Sequence, residues 1–371
     1  MLNIKRLKQI EDFNTAPGQE LAWLTVGEEL NLKGSHISGD DLVKIINHTS
    51  NLKKLNLNLC EKLNPLPEIL NMLDKLEELN LKGSNINGED LAKILNHAPN
   101  LKKLDLSNCD HLNPLPETLN TLDKLEELNL GWSDINGDNL AKIITYTPNL
   151  KKLNLNVCQH LNPLPEILKK LDNLEELYLS NSNISGNNLV KILNCAPNLK
   201  KFNLRFCNHL QLLSEILNGL DNLEGLCLDA SNISGDDLVK IINRTPNIKI
   251  LELCNCDHLD PLPKILKKLD KLEKLDLSDS NISSDNLAKV ISYTPNLKKL
   301  VLNYCQNLNP LPEIIKKLDK LEELYLSDSN ISGNDLAKIL NHAPNLKIIN
   351  LNNCKHLYPL SEILNTLYPI H

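Results

Sequence analysis

The sequence predicts a solenoid, and three observations predict it. Residues 100–148 land on themselves when the chain is shifted by 49 residues either way, and the segments starting at Asn51, Asn149, Asn198, Asn247, Asn296 and Asn345 all open Asn-Leu-Lys or Asn-Ile-Lys. Inside that unit is a second, offset repeat. Half A reads LxxLxLxxCxxLxPLPxxLxxL over residues 101–122, and half B reads LxxLxLxxSxIxGxxLxxI over residues 125–143. The halves are 24 and 25 residues long, and seven copies of each run from about Val26 onward. Third, aromatic residues make up only 3% of the chain, so a continuous core has to be filled by Leu and Ile. A period of this length stacks like units side by side, each touching only its neighbours.

The LxxLxLxxC and LxxLxLxxS cores resemble the leucine-rich repeat, and the resemblance covers residues 26–371. It implies an α/β horseshoe with one short parallel strand per half on the concave face. Helices and proline-led turns would alternate on the convex face. It implies no activity, because function lives in sites grafted onto folds. The regular, Asn- and Lys-rich repeats also look like the leucine-rich-repeat effectors of intracellular bacteria, which implies a host protein as partner and the host cytosol as location. A competing precedent is the leucine-rich-repeat protein that activates small GTPases, in which Arg205 would reach the phosphates.

Each element then has its own signal. Leu2, Ile4, Leu7, Ile10 and Phe13, with Ala22, Trp23 and Leu24, make residues 1–25 an N-terminal cap; the first B half is degenerate, with Gly27 in place of Leu. In each B half a helix is expected: Asn87 can cap it, Glu89 and Asp90 suit its first turn, Leu91, Ile94 and Leu95 form one apolar face, and Pro99 ends it. In most A halves Pro-Leu-Pro places a proline at the start of a short helical turn, a motif replaced by Leu212-Leu213-Ser214 in the half that starts at Asn198. The last A half stops at Pro369-Ile370-His371 without a polar cover, so that edge is expected to fray or to self-associate.

Charge and cysteine usage narrow the function. The net charge is −7 with no basic block, which argues against a nucleic-acid partner. The start lacks the apolar core of a signal peptide, and no stretch is long enough to span a bilayer, so a soluble, cytoplasmic chain is expected. Seven of the ten cysteines (Cys60, Cys109, Cys158, Cys207, Cys256, Cys305 and Cys354) fill one slot of successive A halves. Equivalent atoms then lie two strands apart, about 9.6 Å, beyond the ~7 Å between Cα atoms that a disulfide tolerates. Free thiols, a reducing compartment and no cofactor follow. Cys-x-His recurs, but its copies lie too far apart to share an ion, and Cys254, Cys256 and His258 lack a fourth ligand; no metal is expected. Phosphate-binding and nucleophile-elbow motifs are absent, so the chain reads as non-catalytic.

Candidate contact residues come from using the chain as its own reference. In LxxLxLxx the leucines point inward, positions 3, 5 and 7 face the open side, and position 8 sits on the rim. Position 3 alternates Lys54, Glu78, Lys103, Glu127, Lys152 and Glu176, a self-neutralising ladder; it breaks at Gly225, Ile250, Lys274 and Ile348. Asn is usual at position 5, where Tyr178, Cys227, Glu252, Val301 and Tyr325 depart from it. Arg205 is the one arginine expected on the open face, with Asn203 before it and Phe206 beside it on the rim. Trp132, Tyr304, Asp229 and Cys254 complete the set, in residue types that include the aromatic and Arg anchors of interfaces.

Overall fold

The structure is a computed structural model that describes residues 27–357 apart from 48, 50, 68–72, 116–121, 166–170, 208–219, 260–268 and 309–317. Packing divides the chain into two compact units: residues 1–178, 182–184 and 194–196, and residues 179–181, 185–193 and 197–371. The first holds β1 (Glu29–Asn31), α1 (Gly39–Asn47), β2 (Lys54–Asn56), β3 (Glu78–Asn80), α2 (Gly88–Asn96), β4 (Lys103–Asp105), β5 (Glu127–Asn129), α3 (Gly137–Tyr146), β6 (Lys152–Asn154) and β7 (Glu176–Tyr178). The second holds most of α4 (Gly186–Cys195), then β8 (Lys201–Asn203), β9 (Gly225–Cys227), α5 (Gly235–Arg244), β10 (Ile250–Glu252), β11 (Lys274–Asp276), α6 (Ser284–Ser292), β12 (Lys299–Val301), β13 (Glu323–Tyr325), α7 (Gly333–His342) and β14 (Ile348–Asn350). Within each unit the strands are parallel and follow chain order, in register residue for residue.

The strands are short because only the L-x-L in the middle of each LxxLxLxx repeat alternates. Leu55, Leu79, Leu104, Leu128 and Leu153 put their side chains into the core of the first unit, and Phe202, Leu226, Leu251, Leu275 and Leu300 do so in the second. The helices begin where expected. Asn87 accepts the N–H of Asp90 at 2.8 Å, and Ser234 with Asp237 closes a reciprocal capping box. Leu91, Ile94 and Leu95 are all buried. The glycine that opens these helices has a steric cause: a Cβ on Gly39, Gly88 or Gly137 would collide with the carbonyl oxygen of Pro65, Pro114 or Pro163 in the following half. Gly137→Ala is therefore expected to lose about 1–3 kcal/mol in chemical unfolding. An unchanged midpoint would mean that the helix start can move.

The cysteine slot is structural. Each of the seven ladder thiols is buried and donates to a leucine carbonyl 28 residues earlier, as Cys60 does to Leu32 at 3.2 Å and Cys354 to Leu326 at 3.0 Å. Burial pushes the thiols of Cys109, Cys158, Cys256 and Cys305 up to about 11. None of the ten cysteines is in a disulfide. A thiol reagent at neutral pH is expected to label the part-exposed Cys195 and Cys254 first and the ladder only on unfolding. Equal rates in the native protein would contradict this. The N-terminal cap, the convex turns that follow the prolines and the chain end after Leu357 lie outside the described residues.

Candidate recognition surface

The lysine and glutamate doublets build two ladders. At position 3 each A-half lysine reaches the following B-half glutamate: Lys54–Glu78 at 3.3 Å, Lys103–Glu127 at 2.8 Å and Lys152–Glu176 at 3.4 Å. At position 2 each B-half glutamate meets the following A-half lysine: Glu28–Lys53 at 2.7 Å, Glu77–Lys102 at 2.9 Å and Glu126–Lys151 at 3.1 Å. Together they place an ion pair at every strand junction from β1 to β7. The pairs are exposed, so each contributes at most about 1 kcal/mol. In the second unit the position 2 ladder persists at Glu224–Lys249, Glu273–Lys298 and Glu322–Lys347. Position 3 is interrupted: Gly225 and Ile250 carry no charge, and Lys274 turns to Glu252 instead.

Asparagine recurs at position 5 because its side chain closes the strand. The Oδ1 of Asn31, Asn56, Asn80, Asp105, Asn129, Asn154, Asn203, Asp276 and Asn350 accepts the N–H two residues on, at 2.9–3.1 Å. At two of the strands where another residue stands there, the N–H finds a substitute. Beyond Glu252, the N–H of Cys254 donates to Asp229 Oδ1 at 2.8 Å; beyond Tyr325, that of Ser327 donates to Asn303 at 2.9 Å. Asp229 thus has a backbone-supporting role, and burial raises its carboxyl above the ordinary range.

Several residues expected to reach solvent are engaged in the sheet. In the first unit, Tyr178 donates to Glu176 at 2.8 Å, with the Lys152 ammonium 5.3 Å from its ring centroid. Burial and that glutamate push its phenol up to about 12. In the second unit Tyr325 repeats the arrangement with Glu323 and Lys299. Both tyrosines therefore extend the charge ladder. Cys227, expected on the open side, is only 8% exposed: its side chain is short and stands between Asn203 and Glu252 in the register. Val301 is likewise buried.

The exposed aromatic candidates share one backbone feature. Position 8 is left-handed in all fourteen halves, from Gly34 (φ 68) through Asn108 (φ 58) and Asn255 (φ 55) to Asn353 (φ 60). Gly, Asn and Asp occupy eight of these slots and tolerate that geometry. Leu59, Trp132, Val157, Phe206 and Tyr304 do not, yet they adopt it at φ 59–63. Trp132 is 62% exposed, Tyr304 56%, Leu59 49% and Phe206 46%. Arg205 lies over the Phe206 ring, 4.8 Å from its centroid, and forms no ion pair among the described residues. Sequence reading placed position 8 on the rim but missed its left-handed backbone, although the recurring Gly and Asn of that slot carry the signal.

No family model and no curated protein matches the chain. Solved structures do. A leucine-rich-repeat protein of Leptospira interrogans is 21% identical with a TM-score of 0.60, covering 90% of this chain and 86% of that one. An internalin of Listeria monocytogenes is 18% identical with a TM-score of 0.53, over 91% and 84%. TLR13, solved in a complex with ssRNA13, is 18% identical with a TM-score of 0.60; the match covers 93% of this chain and about half (52%) of that one. Among the described residues no helix is long and apolar enough to cross a membrane. One parallel strand per half-repeat, a buried Leu and Cys ladder and these neighbours make the fold that of the leucine-rich-repeat proteins.

Proposed function

We propose that the chain is a non-catalytic recognition protein that binds another protein through the strand-exit turns. The contacts are Trp132 in the first unit and Arg205, Phe206 and Tyr304 in the second. One observation carries this reading: large side chains stand exposed at a backbone conformation that costs them about 1–2 kcal/mol each. Beyond the stacking of Arg205 on Phe206, their exposure leaves them little packing there, and the same slot elsewhere in the chain is filled at lower cost by Asn or Gly. Trp, Tyr and Arg are also the residues that dominate binding energy at interfaces. Asn203 supports Arg205 from below by accepting its N–H at 3.0 Å.

Photo-crosslinkers at 132, 206 and 304 are expected to trap one protein species that crosslinkers on the helices, at Lys44 and Lys240, do not. Equal trapping from both sets would contradict the reading. An effector that acts on a host protein in the host cytosol is its narrower form, supported by the regularity of the repeats and by a fold shared with two bacterial proteins. Detection of the chain in the cytosol of infected cells tests that part, and its confinement to the bacterium would reject it.

A further inference from the structure

Seven of the ten cysteines form a structural ladder, and Cys195, Cys227 and Cys254 lie outside it. The ladder thiols each donate to a leucine carbonyl. Cys227 belongs to the sheet face, and its sulfur is set against two carboxylates. Cys227 Sγ and one oxygen each of Asp229 and Glu252 lie within 4.8 Å of one another. We propose that these three side chains bind a divalent, thiophilic metal ion of the zinc class, with the fourth coordination position open toward the exposed side of the sheet.

Two further features point to a built site. The carboxylates are each held from outside the cluster: Asp229 Oδ1 takes the Cys254 N–H, and Glu252 Oε1 takes the Lys274 ammonium. Supporting bonds of this kind orient metal-binding carboxylates, and Asp229 also accepts the Cys227 thiol, a hydrogen bond that metal binding would replace. Second, the equivalents of Cys227, Asp229 and Glu252 in the first unit are residues such as Asn80, Lys82 and Asp105, so the three departures fall together on adjacent strands.

The charges suit a dication. A Cys227 thiolate and two carboxylates are balanced by one divalent ion and the Lys274 ammonium, and binding releases the thiol proton. Zinc bonds of about 2.0–2.3 Å ask the three atoms to draw in by roughly 1 Å, a side-chain rotation. The remaining position would hold water or a side chain from a partner.

The test is cobalt(II) titration of the full chain in a reductant that does not bind metal. A thiolate-to-cobalt charge-transfer band saturating at one ion per chain is expected, with zinc abolishing it. Cys227→Asn, which restores the residue found in β3 and β5, should remove the band without altering the circular dichroism. Asp229→Asn and Glu252→Gln should each weaken binding at least tenfold, while Cys256→Ser in the buried ladder should leave it unchanged. No thiolate band, or a band that survives Cys227→Asn, would overturn the proposal. Neither result bears on the strand-exit turns, so this site and the recognition surface fail separately.

Discussion

Phe202→Ala is expected to cost about 3–5 kcal/mol, whereas Phe206→Ala, four residues further along, is expected to cost little. Phe202 is the central residue of β8, 1% exposed, in the slot that leucine fills in most strands. Truncating it leaves a cavity in a core already poor in rings. Phe206 has left the strand and is 46% exposed. Its loss removes the stacking of Arg205, about 0.5–1 kcal/mol at such an exposed site. Parallel urea titrations of the two variants make the comparison. Similar losses would place Phe206 in the core and remove it from the recognition surface.

Replacing Trp132, Phe206 and Tyr304 together by Asn should have the opposite sign and raise stability. Each substitution exchanges a side chain that is strained at positive φ for one that accepts it, for a gain of about 1 kcal/mol apiece. The lost stacking of Arg205 offsets most of the gain at Phe206, so the three substitutions together should add to roughly 2 kcal/mol. Denaturant midpoints would show this directly. A net loss would mean that these rings contribute packing that their exposure conceals. Ladder substitutions provide the baseline: Lys103→Ala with Glu127→Ala should change stability by no more than about 1 kcal/mol.

Much of this was legible in the sequence because the chain repeats itself. The 49-residue period gave the strand register, and from it the position 3 ladder and the two-strand separation of the cysteines, both seen in the structure. The position 2 ladder was written in the same doublets, but alternation argues only about odd positions, and residues just before the strand escape it. Backbone conformation was harder to read. An Asn at position 5 and an Asn at position 8 look alike in a sequence, yet the first caps an N–H and the second relieves a left-handed turn. Tyr178 and Tyr325 stood out as departures, but a departure can be absorbed locally: a phenol that finds a glutamate and a lysine has joined the ladder. Cys227 was misplaced for a related reason, since a short side chain between longer neighbours is buried on a face that is otherwise open.

The most direct test of the recognition surface is the affinity of the crosslinked partner for the wild type and for the Trp132→Asn, Phe206→Asn and Tyr304→Asn variant. A loss of at least about 2 kcal/mol, roughly thirtyfold in Kd, is expected from a variant that is more stable than its parent. Undiminished affinity in that variant would show that the strained, exposed side chains of the turns are not where the partner binds.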